Sequence, residues 1–336
     1  MDALAGLRAF KSPTILALTA TATPDVVADI ERQLDVGPLR VINTGAHRPN
    51  LSYHVRPVSG EEDKQRQLLD IVRGTIGSTI VYAATVRHVD TLDALFRAEG
   101  IAATSYHGRQ RAHVRADAQD AFMTGTVPII IATNAFGMGI DKPDIRTVVH
   151  YDLPASLDVY SQESGRAGRD GAPAECILLF QRRDRGLQRF FMAGRYPTHD
   201  DFVALIEVLR TASGGRTLSG DDLETAVPSL SASKARVMLA ALKQDGLVRQ
   251  RRAARYEAQP RLLTAAIDPL VAAYEERRQR DQAKLEQMVI YAQTARCRTH
   301  VLLEALGEIV DWSLCGNCDN CRGLAIRAEA PAKGAA

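Results

Sequence analysis

Ile129-Ile130-Ile131-Ala132-Thr133-Asn134-Ala135-Phe136-Gly137-Met138-Gly139-Ile140-Asp141 is the stretch on which the architecture of this chain turns. An unbroken β-branched run reads as a strand buried on both faces, as in a parallel sheet covered by helices. The glycine turn behind it falls at the carboxyl end of that strand, where open α/β sheets bind ligands. Working outward, strands are expected at Thr79–Tyr82, Ala102–Tyr106, Thr147–His150 and Cys176–Phe180. Helices are expected at Glu62–Arg73, Val86–Glu99, Arg111–Met123 and Leu157–Ser164. The alternation predicts a doubly wound α/β lobe. Another strand, Thr14–Leu18, is set apart by the Gly- and Pro-bearing stretch Gly37–Pro49 and is expected to belong to a preceding unit.

Beyond Tyr196-Pro197 the texture changes. Asp200–Arg210 is amphipathic, Ser219-Gly220-Asp221-Asp222 can start a second helix, and Ser231 can cap a third, Lys234–Gln244. Leu247–Arg252 and Arg255–Ala258 then read as a hairpin, which makes a winged-helix pattern. A long helix follows, from Leu270 to about Ala295, and the Ala/Pro-rich tail from Arg327 to Ala336 is expected to fray.

A chain of 336 residues has room for two or three domains, and a net charge of +2 gives no global attraction to a polyanion. Any nucleic-acid site must therefore be a local patch. The sequence has no long apolar run and no secretory start, so no membrane partner is expected and a cytoplasmic, nucleoid-associated location is.

Tyr160-Ser161-Gln162-Glu163-Ser164-Gly165-Arg166-Ala167-Gly168-Arg169-Asp170-Gly171 carries two guanidinium forks three residues apart among small residues. Phosphoryl transfer is mostly positioning and charge neutralisation, which such forks supply. Asp141 can accept from a ribose hydroxyl, and Thr133 can hold a strand phosphate. Thr19 and Thr21, in Leu18-Thr19-Ala20-Thr21-Ala22-Thr23-Pro24, can sense a nucleotide or cap the helix that begins near Pro24. Cys297, Cys315, Cys318 and Cys321 form C-x17-C-x2-C-x2-C, a soft donor set for structural Zn²⁺. An iron–sulfur cluster is the alternative, without the ferredoxin fourth ligand and trailing proline. Cys176 lies in an apolar strand and reads as core. Lys234, Arg236, Arg249, Arg251 and Arg252 gather on the third helix and the hairpin, which suits phosphate contacts or a solvated charged face.

Taken in order, these segments resemble motifs III, V and VI of superfamily 2 helicases in the wording of the RecQ family; Ser78–Thr85 resembles motif IV, and Tyr106-His107-Gly108 the short motif after it. The resemblance implies a RecA-like lobe and ATP-dependent 3′-to-5′ DNA unwinding at a single-strand/duplex junction. It implies that Arg166 and Arg169 are arginine fingers, that Gln162 lines the nucleotide cleft, and that Gly139 and Asp141 lie at the ribose side. Thr19 and Thr21 would couple hydrolysis to strand movement. The cysteines resemble the family's zinc subdomain, whose first cysteine lies on a helix. The winged-helix segment precedes the cysteines here, the reverse of the usual family order.

A complete ATP and Mg²⁺ site also needs a P-loop and an acidic metal motif. G-x4-G-K-[ST] and an Asp-Glu pair do not occur in this sequence. The expectation is therefore the C-terminal part of such a helicase, beginning just before motif III and inactive by itself, with a first lobe supplied in the same chain or in trans. The alternative is a non-catalytic winged-helix/zinc DNA-binding protein. The expected domains are 1–45 (remnant of the first lobe), 46–197 (second lobe), 198–260 (winged-helix-like), 261–326 (long helix and zinc module) and 327–336 (tail).

Overall fold

The computed structural model describes residues 15–19, 24–34, 37–43, 45–137, 139–211, 217–228, 230–251, 255–260, 262 and 267–329. Thr21 and Arg252 lie outside them. The chain divides into two compact units, one of residues 1–184 and 287–336 and the other of residues 185–286.

The first unit is built on six parallel strands. They are β1 (Leu51–Pro57), β2 (Ser78–Tyr82), β3 (Ala103–Tyr106), β4 (Ile129–Ala132), β5 (Ile145–His150) and β6 (Ala174–Phe180). Their order across the sheet is β1-β6-β5-β2-β4-β3. Every pairing is parallel. Helices α1 (Pro24–Leu34), α2 (Glu61–Gly74), α3 (Val86–Ala98), α4 (Ala112–Met123) and α5 (Leu157–Ser164) belong to the same unit. Ile130 and Ile131 of β4 are fully buried, as a strand covered on both faces requires. A parallel sheet crossed by helices in this way is a RecA-like α/β lobe. Leu68, Val89, Leu92 and Phe96 close one face of the sheet over Val81, Ile131 and Val149.

Two expectations need correction. Residues 15–18 of the expected strand Thr14–Leu18 run without regular structure. Among the described residues no strand pairs with this segment to satisfy an extended backbone, and Leu16 and Leu18 stand exposed. Conversely, the sequence reading passed over β1, whose Ser, His, Arg and Pro interrupt an apolar pattern. β1 is an edge strand, paired only with β6. Its other edge is met by the cysteine-bearing segment: Asp319 Oδ2 accepts from Val55 N at 2.8 Å, and Asn317 Nδ2 donates to Leu51 O at 3.2 Å. Covering an open edge in this way removes unpaired backbone groups.

The second unit contains most of α6 (Asp184–Arg195), then α7 (His199–Thr211), α8 (Gly220–Ala226) and α9 (Ala232–Gln244). The antiparallel hairpin of β7 (Val248–Arg251) and β8 (Arg255–Ala258) follows, and Leu218 bridges Tyr256 beside it. Ser219 and Asp222 form a reciprocal capping box on α8, and the Ser231 side chain caps α9. Phe202, Leu205, Leu223, Met238, Leu242 and Val248 share a separate core. Helix α10 (Asp268–Gln293) spans both units, its residues from Gln287 lying in the first. It is followed by α11 (Arg298–Ala305) and α12 (Asp319–Glu329). Helix α12 thus continues past the expected start of the tail at 327; residues 330–336 lie outside the described residues. No helix among the described residues is long and apolar enough to cross a membrane.

Candidate nucleotide-side loops and metal centre

The arginine-bearing stretch begins as α5, capped by Ser156, and leaves it at Gly165 as a tight turn. The two arginines take different positions. Arg166 is buried and donates through Nη1 to Gly137 O; its Nε has no partner among the described residues. A Cβ on Gly137 would lie 2.7 Å from Arg166 Nη2, so glycine makes room for the guanidinium. Arg169 stands half exposed, with Nη1 donating to Asp141 Oδ1 at 2.8 Å. The structure therefore brings Arg166, Arg169, Gly137, Gly139 and Asp141 together at one loop pair beyond β4. Gly139 has a φ of 80°, which lets the chain turn sharply before Asp141. Gln162 is exposed on α5, and Thr133 is buried at the end of β4 with its hydroxyl accepting from Ala135 N at 3.4 Å. Thr19 is exposed in an irregular segment.

Several supporting residues escaped the sequence reading. Arg48 Nη2 donates to Gly168 O at 2.7 Å and Ala167 O at 3.3 Å. Asn50 Nδ2 donates to Gly168 O at 2.8 Å and Ala172 O at 2.9 Å. His150, fully buried, shares a 3.0 Å hydrogen bond with Glu163 and packs against Tyr160. The only signal for Arg48 and Asn50 is a pair of polar residues just ahead of an edge strand, which carries no sequence pattern of its own.

A second buried constellation sits at the carboxyl ends of β2 and β5. Lys64 Nζ reaches Asp184 at 3.0 Å and Asp152 at 3.4 Å, and lies 4.7 Å from the centre of the Tyr151 ring. Asp152 Oδ2 accepts from Ala84 N at 2.8 Å and shares a 2.7 Å hydrogen bond with His88 Nδ1. Burial opposes the charge on Asp152, yet His88, Lys64 and the Ala84 amide hold its carboxyl below the usual range. The hydrogen bond to Asp152 raises the His88 pKa against partial burial. Desolvation raises Asp184 in spite of Lys64. The network fixes the turn after β2; Arg87, in α3 behind that turn, and Arg109 and Arg111, after β3, stand exposed without an acidic partner among the described residues.

Cys297, Cys315, Cys318 and Cys321 place their sulfurs within 4.8 Å of one another, and all are free thiols. Four sulfurs around Zn²⁺ at about 2.3 Å stand about 3.8 Å apart in a tetrahedron; Cys315 and Cys321 are at 3.9 Å. Backbone amides already aim at the sulfurs: Cys315 N at Cys297 Sγ (3.2 Å), Cys318 N at Cys315 Sγ (3.3 Å) and Arg298 N at Cys318 Sγ (3.4 Å). Such donors favour thiolates, so the donor set fits a structural zinc ion. Cys297 is the N-cap of α11 rather than a residue within the helix, and its carbonyl accepts the first helical bond from Val301 N at 3.0 Å. His300 is turned away, bonded to Trp312 O and Glu304. Cys176 is fully buried; desolvation pushes its thiol up to about 12.

In the second unit, Lys234 Nζ donates to Asp201 at 2.8 Å, so its charge is already matched. Arg251 pairs with Glu257 at 2.8 Å across the hairpin. Arg236 and Arg249 are exposed without an acidic partner among the described residues.

Residues 63–171 match the helicase conserved C-terminal domain, and residues 248–322 match the RecQ zinc-binding family. The six-stranded parallel lobe, its arginine loop and the first match define the C-terminal lobe of a superfamily 2 helicase. The second match and the relatives narrow this further: over the matched stretches the chain is similar to RecQ-family helicases. It is 42% identical over 180 residues to the putative ATP-dependent DNA helicase Q1 of Caenorhabditis briggsae, covering 53% of this chain and 29% of that protein. It is 41% identical over 181 residues to the ATP-dependent DNA helicase RecQ of Bacillus subtilis, covering 54% of this chain and 30% of that protein. The matched stretch thus spans less than a third of either relative. Among solved structures, S. cerevisiae Dbp5 bound to RNA and ADP BeF3 aligns with a TM-score of 0.48 and 24% identity, covering 56% of this chain and 52% of that one.

Proposed function

We propose that this chain supplies the second motor lobe, a DNA-binding hairpin module and the zinc module of an ATP-dependent DNA helicase that moves 3′-to-5′ on one strand. The observation that carries the reading is the junction of the arginine turn with the Gly137–Asp141 loop beyond β4. There Arg169 is held 2.8 Å from a carboxylate it can leave for a phosphate, while Arg166 is braced from below. In this reading Arg169 is the arginine that meets the γ-phosphoryl group, Arg166 fixes the loop, and Asp141 turns to the ribose. The P-loop lysine and metal carboxylate must come from a first lobe, because this sequence holds neither motif, so the chain alone is expected to be inactive as an ATPase. Exposed Arg87, Arg109 and Arg111 suit the single strand; Arg236 and Arg249 suit duplex phosphates. The test is ATP hydrolysis by the purified chain, with and without single-stranded DNA, then with an added first lobe. No turnover alone and DNA-stimulated turnover on addition is the expected result. In the complementing system, Arg169→Ala should cost about 10³-fold or more in rate with DNA binding retained; equal loss of both would remove the finger role.

A further inference from the structure

One short strap, residues 45–50, touches two sites that lie far apart in sequence. On one side it meets the zinc module. Ala46 N donates to Glu308 Oε1, and the His47 ring packs on Trp312 with centroids 5.2 Å apart. Pro49 O accepts from Asn317 Nδ2 at 3.4 Å. Intervening residues of the same strap meet the arginine turn: Arg48 and Asn50 hold the carbonyls of Ala167, Gly168 and Ala172, and Ala174 N donates to Asn50 O at 3.0 Å. Asn317 lies between two of the zinc-binding cysteines, so the strap is gripped by the metal loop itself.

From this alternation we infer that Arg48 is a positioning residue and that the strap transmits zinc occupancy to the arginine turn. With the cysteine loop closed on its metal, Asn317, Glu308 and Trp312 fix the strap, and the strap fixes the carbonyl scaffold on which Arg166 and Arg169 are mounted. With the loop open, the strap loses one wall and Arg48 loses its direction. The turn is closely packed at that point: Gly168 has a φ of 55°, and a Cβ there would lie 2.5 Å from Asn50 Nδ2 and 2.7 Å from Ala172 O. The consequence for nucleotide chemistry rests on the function proposed above; the mechanical coupling does not, and can be read without nucleotide.

The test is amide hydrogen exchange on the zinc-loaded full chain. The probes are Gly168 N, which is bonded to Ile145 O at 2.8 Å, and Ala174 N. Trp312, the only tryptophan, reports the zinc side by its fluorescence. His47→Ala with Glu308→Ala should shift Trp312 emission and speed exchange at Gly168 and Ala174 about tenfold or more. Bound zinc and the protection of Ile80 and Ile131 should stay unchanged. Arg48→Ala should speed the same two amides without moving Trp312 emission, and Arg48→Lys should restore part of the protection. Faster exchange in the strap with Gly168 and Ala174 unaffected would overturn the coupling. So would equal loss of protection in the core strands, which would make the effect one of general stability. If the double variant does not fold, His47→Ala alone, at an exposed ring, carries the same readout.

Discussion

The arginine turn and the cysteine loop are both short, glycine-bearing segments, yet they are held in opposite ways. The cysteine loop carries its own ligands, and three of its four sulfurs come from seven consecutive residues. The arginine turn carries two guanidinium groups but not the groups that hold it: Arg48, Asn50 and Ile145 O, from 23 to 120 residues away, fix its backbone. A metal loop can be recognised from local spacing because its binding energy is local. An arginine turn can be recognised from its residues, while its geometry belongs to the rest of the lobe.

This contrast can be broken from either side. Cys318→Ser should have the largest effect, since structural zinc supplies folding free energy of roughly 10 kcal/mol or more. Zinc content and exchange across α11 and α12 would show metal loss and local unfolding; a folded, zinc-free variant would refute the assignment. Gly168→Ala is next. A Cβ there would lie 2.5 Å from Asn50 Nδ2 and 2.7 Å from Ala172 O, at a φ of 55°. Chemical denaturation should show a loss of about 2 kcal/mol or more, whereas Gly171→Ala, with nothing within 4 Å, should cost less.

Arg249→Ala should lower duplex affinity at low salt and reduce the slope of log affinity against log salt by about 1. Lys234→Ala, whose charge is already matched by Asp201, should change that slope little. The smallest effect concerns the His88–Asp152 pair. His88 is raised above 6.5, so its stabilisation is complete below that value and fades as pH rises through the raised pKa. Asp152 is lowered below 3.8, so its share is complete above that value and fades as pH falls through the lowered one. Thermal unfolding across pH 4–9 should therefore show a decline on the alkaline side, and His88→Gln should flatten it.

Much of the lobe was legible because its strands are apolar on both faces. β4 falls on the unbroken isoleucine run expected to form a strand, and β2, β3, β5 and β6 lie within a few residues of their expected bounds. β1 was not, because an edge strand covered by a polar loop has no reason to be apolar. The strand expected at Thr14–Leu18 failed for the complementary reason: β-branched residues suit a strand, but only a neighbouring strand makes one.

The sequence by itself determined the family resemblance, the parallel lobe, the spacing of the four clustered cysteines and the residues of the arginine turn, because side-chain chemistry and local periodicity are written residue by residue. Tertiary structure alone decided that Arg166 is buried while Arg169 is presented, that Lys234 is neutralised, and that residues 45–50 lie between the zinc loop and the arginine turn. Those outcomes depend on which carbonyls and carboxylates packing brings within hydrogen-bond reach, a property of the folded chain that no local stretch contains.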